Sequence, residues 1–428
     1  MELTQAVKAL QQALRKELPD TPGVRIMSVP LSLAGNQDPL CWLNSQACWP
    51  QFYWQHRDGH EEYAVLCALR TFTSLAEGQR FLSCFPEYPE LRLWGLNAFD
   101  PQHGQLFLPR LTWQRQGSQA RLVLNLYSET SLCEAAAEAE LWLSGLCPAA
   151  AIPELAARVC EQVHLPAEAQ WLALVAEATQ AISRGQFGKV VLARATDVQL
   201  TQPMSPAWLM HASRQHNSRC YHFYMAFDSR QAFLGSSPER LWHRAGRQLS
   251  TEALAGTVGR DADDSQADQQ SQWLLKDKKN QHENWLVVED ICQRLQAVAG
   301  QIDVEPVQVI RLRKVQHLHR AITATLNYAD DTACLMQLQP TAAVAGLPRK
   351  DALAFIYAHE PFNRGWYAGS AGYLSLATSE FCVALRSALV QYNNVRLYAG
   401  AGIVAQSNPA EEWLEIENKV AALRSLFS

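Results

Sequence analysis

Short runs in which apolar and polar residues alternate, repeated through the first third of the chain, constrain its fold more than any other feature. They are Arg25–Val29, Gln51–Trp54, Glu62–Cys67, Arg92–Leu96 and Ala120–Tyr127. A period of two is that of a half-buried strand, so the region reads as an antiparallel sheet. At that spacing Trp54 and Trp94 read as core side chains rather than pocket walls. Ahead of the runs, Leu3, Val7, Leu10 and Leu14 recur at helical spacing, and this surface helix ends near Pro19. Helical patterns follow at Ser131–Leu146 and Glu168–Arg184, separated by the small and apolar stretch Pro148–Pro153. A soft boundary there divides an N-terminal portion, 1–150, from a C-terminal portion, 151–428; no Gly/Ser linker marks it, so the two read as one intertwined globule.

Composition removes several classes of function. The 37 basic and 42 acidic residues give a net charge of −5, and the nearest basic stretch, Arg311–Arg320, is short and interleaved with apolar residues. That is no nucleic-acid footprint, although it suits an anionic small molecule. Eleven cysteines without a C-x-x-C pair read as a reducing compartment rather than a disulfide framework. The N-terminus lacks a signal-peptide pattern and no apolar run reaches membrane-spanning length, so the expectation is a cytoplasmic protein without membrane contact. There is no GxxxxGK[ST], HExxH or GxSxG, and the glycines of Tyr398–Val404 lack the strand-turn-helix context of a dinucleotide site.

Chemistry concentrates in the C-terminal portion. The last helix begins with Asn408 as N-cap and Pro409 in the first turn, and Trp413, Ile416, Val420 and Leu423 give it a buried stripe. At about 100° per residue, Glu412, Glu415 and Lys419 fall in a narrow sector beside that stripe. Such oxygen donors suit a hard divalent cation, although Glu415 and Lys419 also form an ordinary i,i+4 pair. In the strand Lys189–Arg194, Lys189 heads an apolar face with Val191 and Ala193, where burial would make its ammonium a better proton donor and its amine an available base. Glu239 follows a small-residue turn; partial desolvation would hold it protonated, and a salt bridge to Arg240 is the alternative. Thr251–Thr257 reads as a small-residue loop whose backbone admits an anion. Ser271–Leu295 reads as one helix with Trp285, Val288, Ile291 and Leu295 inward and Glu283 and Asn280 on another face, leaving Glu283 a solvated acid or a metal ligand. Arg386 ends a strand on the face opposite Val383 and Leu385, placed to clamp a carboxylate.

These segments, in this order, resemble the chorismate-utilising enzymes, which include the large subunit of anthranilate synthase and the aminodeoxychorismate, isochorismate and salicylate synthases. The resemblance rests on KVVLAR at 189–194, FLGSSPERL at 233–241, TEALAGT at 251–257, VQHL at 315–318, LQPTAAVAGLPR at 338–349, WYAGSAGY at 366–373, YAGAGIV at 398–404 and EEWLEIENK at 411–419. It implies an α+β fold of two large packed antiparallel sheets flanked by helices. It implies that Glu283 and Glu415, with Glu412 close by, hold Mg²⁺ against the ring carboxylate of chorismate. Tyr367, Arg386 and the Gly402 backbone would hold the enolpyruvyl carboxylate, with Tyr398 also in the substrate site and His317 and Thr257 around the ring. Lys189 would deprotonate the water that attacks C2, and Glu239 would protonate the departing C4 hydroxyl. Within the family, FYWQHR at 52–57 and LRLWGLNAFD at 91–100 look most like the isochorismate synthases of menaquinone biosynthesis. Lys189 matches the water-using branch and Ala255 departs from the lysine of aminodeoxychorismate synthases, so no glutamine amidotransferase partner is expected. Salicylate synthases share the same acid and base and remain the alternative, ahead of a non-catalytic relative that only binds chorismate. Gln339 departs from the histidine found before Pro-Thr in many relatives.

Overall fold

The computed structural model describes residues 1–32, 38–261, 263–312 and 315–427; Arg313 and Lys314 of the basic stretch lie outside the described residues. Helix α1 (Leu3–Leu14) and strand β1 (Gly23–Leu31) are followed by α2 (Pro39–Asn44), β2 (Gln51–Gln55), β3 (Glu61–Phe72) and α3 (Leu75–Ser83). Then come β4 (Leu93–Asn97), β5 (Gly104–Gln116), β6 (Gln119–Ser128) and α4 (Leu132–Ser144). The chain continues through β7 (Val159–Leu165), α5 (Glu168–Ser183), β8 (Lys189–Leu200), α6 (Pro206–His216), β9 (Tyr221–Ala226) and β10 (Gln231–Ser237). Next are β11 (Arg240–Ala245), β12 (Gln248–Gly259), α7 (Asp264–Leu274), α8 (Lys278–Leu295), β13 (Ala299–Val304), β14 (Gln308–Arg311) and β15 (Val315–Leu326). The last stretch holds α9 (Asp331–Leu338), β16 (Gly346–Leu347), α10 (Arg349–His359), β17 (Ser370–Leu374), β18 (Thr378–Val383), β19 (Ser387–Gln391), β20 (Asn394–Ile403) and α11 (Pro409–Arg424).

Strand pairing among the described residues is antiparallel throughout and forms two sheets joined at β5. One runs β1-β6-β5-β3-β2-β9-β10-β19-β20-β8, with β7 and β16 on the far side of β8. The other leaves β5 through β4 and continues β17-β18-β11-β12-β15, with β13 and β14 beyond. This is the two-sheet α+β architecture that the sequence implies. The pairings β2–β9 and β4–β17 join strands from either side of residue 150. Aromatic side chains fill the space between the sheets: the Trp94 ring lies 4.8 Å from Tyr63 and 5.8 Å from Phe52, and Trp54 lies 5.2 Å from Tyr221. Burial of such rings contributes most to core stability, and both tryptophans are core as their spacing indicates.

Four local expectations fail for identifiable reasons. Helices α7 and α8 replace the single helix Ser271–Leu295, because the Asp277 side chain accepts from Asn280 N–H and caps a new helix there. Trp285 is 43% exposed, and the inward position beside it belongs to Asn284, a polar residue that an apolar template passes over. Thr251–Thr257 lies within β12, paired with β15, with a register irregularity between Leu254 and Thr257 in place of a loop. Arg386 stands in the link between β18 and β19 with φ 47°, so strand alternation does not set its direction. Strand β5 carries Pro109, which the ladder accepts because β3 bulges opposite it between Ala68 and Arg70.

Candidate active site

A cavity of about 380 Å³ lies between the two sheets, with β8 and β20 on one side, β12 and β15 on the other, and α8 and α11 across it. Every residue singled out from the sequence lines it: Lys189, Glu239, Thr257, Glu283, His317, Tyr367, Arg386, Tyr398, Gly402, Glu412 and Glu415.

Lys189 begins β8 and is 1% exposed. Its Nζ donates to Glu283 Oε1 at 2.9 Å. Gly402 on β20 sits against this pair: a Cβ there would come within 3.1 Å of Lys189 Cε and 3.2 Å of Glu283 Oε1, so a side chain would press on both. Glu239 follows β10 and is buried, and among the described residues it forms no ion pair; Arg240 pairs with Glu380 instead. Burial, then the charge of Glu252, pushes the Glu239 carboxyl up to about 8, against smaller opposing effects of Lys189 and Lys419. Glu252 is ionised: burial raises its pKa, but His319 and Arg57 outweigh that and hold it at about 2. Glu252 also fixes the acid's turn, since its Oε1 accepts from Arg240 N–H at 2.7 Å while Arg57, bonded to both its oxygens, donates to Pro238 O at 3.1 Å.

Arg386 pairs with no carboxylate among the described residues. Its Nη2 donates to His317 Nε2 at 3.1 Å, and since a guanidinium only donates, the imidazole proton sits on Nδ1 and points to Thr257 Oγ1 at 3.0 Å. Burial, then Arg386 and Lys419, holds His317 well below the ordinary histidine range, so it is neutral. A half-buried guanidinium with a neutral histidine and no carboxylate as partner is a site for an anion. Tyr367 and Tyr398 stack with ring centroids 5.0 Å apart, and the small Gly400 admits the Tyr367 hydroxyl, which a Cβ would meet at 2.9 Å.

Glu283 comes from α8 and Glu412 and Glu415 from α11, whose start Asn408 caps by accepting from Ala410 and Glu411 N–H. Glu412 is buried, and burial followed by the charge of Glu415 pushes its carboxyl up to about 7. Lys419 Nζ donates to Glu415 Oε1 at 2.6 Å and to Gly400 O at 3.0 Å. The three carboxylates are not gathered as tightly as Asp38, Cys41 and His211, whose ligand atoms lie within 4.8 Å of one another beside α2 and α6.

Residues 95–428 match the family described as chorismate binding enzyme. The chain belongs to the chorismate-binding enzymes. This chorismate-binding enzyme is 56% identical to the isochorismate synthase MenF of Escherichia coli over 425 residues, 99% of each chain. It superposes on the solved structure of the menaquinone-specific isochorismate synthase MenF of Escherichia coli with a TM-score of 0.98 over 100% of both chains. Anthranilate synthase component I of Streptococcus pneumoniae, 20% identical, shares the fold with a TM-score of 0.69 over 95% of this chain and 93% of its own.

In this chorismate-binding enzyme Glu252, Arg57, His319 and Lys279 belong to the site without a role legible in the sequence. Glu252 acts on Glu239 by its charge, and Arg57 and His319 act through Glu252, by contacts between residues far apart in sequence; the only local sign is that Glu252 and Arg57 lie inside the motifs that carry the resemblance. Lys279 lines the cavity from the first turn of α8, one residue before Asn280, and reads locally as a solvated lysine.

Proposed function

We propose that this chorismate-binding enzyme is an isochorismate synthase of menaquinone biosynthesis, converting chorismate reversibly to isochorismate. The observation that carries the reading is Glu239: a carboxyl held protonated to about pH 8 in the same cavity as a buried lysine and an unpaired arginine. Chorismate is a dianion, and Arg386 beside neutral His317 suits its enolpyruvyl carboxylate, with Tyr367, Tyr398 and the Gly402 backbone alongside. Lys189, as the free amine, takes a proton from water as the water oxygen bonds to C2, and becomes the ammonium that donates to Glu283. The ring double bonds shift, the C4–O bond breaks, and Glu239 gives its proton to the departing hydroxyl, which leaves as water. In the reverse direction the acid and base exchange roles. Thr257 keeps the His317 tautomer that accepts from Arg386.

The carboxylates of Glu283, Glu412 and Glu415 fit Mg²⁺ in kind: all are oxygen donors, and burial, followed by the charge of Glu415, raises the Glu412 carboxyl, which a cation there would offset. These carboxylates would hold Mg²⁺, which would supply positive charge to the substrate's ring carboxylate. No amidotransferase partner enters this reading, since water is the nucleophile. Eleven free cysteines support a reducing, cytoplasmic location, and no described helix is long and apolar enough to cross a membrane.

The test is to incubate the purified protein with chorismate and Mg²⁺, without ammonia or glutamine, and to resolve the products by chromatography and mass. A mixture of chorismate and isochorismate is expected. Salicylate with pyruvate would move the protein to the salicylate synthases, and a product formed only after ammonia is added would overturn Lys189 as the base for water.

A further inference from the structure

Among the described residues the Glu239 carboxyl has neither an ion pair nor a hydrogen-bond partner, so its place in the cavity depends on the peptide groups on either side of it. Three contacts fix those groups. Glu239 O accepts from Val383 N–H at 3.0 Å. After the acid, Arg240 N–H donates to Glu252 Oε1 at 2.7 Å; before it, Pro238 O accepts from Arg57 Nη1 at 3.1 Å. The last two contacts come from one ion pair, in which Arg57 Nη1 and Nη2 donate to Glu252 Oε1 and Oε2 at 2.7 and 2.8 Å. The planar fork meets both carboxylate oxygens at once and still has a proton for Pro238, so the pair closes a ring around the two peptide bonds of Glu239.

The pair is itself held in place. Glu252 is buried on β12, and its Oε2 accepts from His319 Nε2 of β15 at 3.0 Å. Arg57 comes from the turn between β2 and β3, and its guanidinium carbon lies 5.3 Å from the Tyr221 ring centroid. Its neighbour His56 lies 3.3 Å from Glu380, the carboxylate that pairs with the Arg240 side chain. His56 and Arg57 therefore contact both carboxylates that hold Arg240, one at its side chain and one at its backbone. Arg57 does not line the catalytic cavity, and it precedes residues 95–428, the stretch that matches the family.

We propose that Arg57 is a positioning residue for the acid: through Glu252 and the Pro238 carbonyl, the N-terminal portion of the chain holds Glu239 where the departing hydroxyl receives its proton. This rests on Glu239 being the acid of the reaction proposed above. Steady-state kinetics on chorismate with Arg57→Met, Arg57→Lys and Glu239→Gln tests it. In Arg57→Met, kcat is expected to fall about 10²-fold, the loss that follows when a reacting group is misplaced by about 1 Å, while KM holds because Arg57 lies outside the cavity. Arg57→Lys returns a cation to Glu252 without the fork and should recover part of that loss. It also keeps the test open if Arg57→Met fails to fold, with kcat expected roughly tenfold below the parent for the charged hydrogen bond it forgoes. A kcat equal to the parent's in every Arg57 variant that folds, or a loss carried by KM instead, would overturn the positioning role. Full activity in Glu239→Gln would instead remove the acid itself, which separates failure of that reading from failure of this one.

Discussion

The Glu239 carboxyl has no cation paired to it and faces the ionised Glu252, and this sets its behaviour with pH. Its folded-state pKa, about 8, lies above the ordinary carboxylate value, so the folded chain binds the proton more tightly than the unfolded one. Its contribution to stability is complete below the unfolded pKa and is lost as pH rises through about 8. Glu239→Gln keeps the shape and removes the charge. Turnover should fall by about 10²- to 10⁴-fold, the usual worth of a positioned acid. The thermal midpoint should hold, and its decline with rising pH should become shallower, as scanning calorimetry on either side of about pH 8 would record. A variant with full activity would remove Glu239 as the acid. Arg386→Met deletes the unpaired guanidinium, and since a charged hydrogen bond contributes about 1.5–3 kcal/mol, KM for chorismate should rise roughly 10- to 100-fold. An unchanged KM in steady-state assays would place the substrate's carboxylate elsewhere.

Helix α8 is tied to the sheet by Asn284, whose amide donates to the carbonyls of Ala253, Ala255 and Leu318 at 3.1–3.2 Å. Its Oδ1 accepts from Arg320 Nε at 3.0 Å. Gly256, at φ +83°, lets β12 approach the helix this closely, because a Cβ would meet Asn280 O at 2.9 Å. Asn284→Ala leaves buried groups without partners and should destabilise the protein by about 1–3 kcal/mol, read by urea denaturation. Because Glu283 is the preceding residue, activity should fall with it; a variant of unchanged stability and activity would show that the amide does not hold the helix. The last helix was the more legible of the two. Its cap and phase are local, so Glu412, Glu415 and Lys419 reach the cavity as their spacing indicates. The break at Asp277 is a local N-cap inside an otherwise helical pattern, whereas the inward Asn284 was hidden because a polar residue held by distant carbonyls looks like a surface residue in sequence.

The catalytic cavity joins both sheets, so ligands that bind there should stabilise the whole fold by mass action. Mg²⁺ with chorismate should raise the thermal midpoint above that with either alone, and removing divalent cations with a chelator should stop turnover until Mg²⁺ is restored. Turnover that persists in chelator would exclude the carboxylates as an essential metal site. At this scale the sequence by itself determined the antiparallel strands, the order of the motifs and the chemical kinds in the site, because a period of two, a helical phase and a cap extend no further than one element. Only the tertiary structure decided which groups meet. Lys189 and Glu283 are 94 residues apart, and Arg57 and Glu252 are 195 apart. Whether a carboxyl is an acid or a carboxylate depends on the solvent and charges that such contacts remove or supply. Glu239 and Glu252 are both buried glutamates, and only their partners, brought together by β12, β15 and the turn before β11, make one a proton donor and the other a fixed charge.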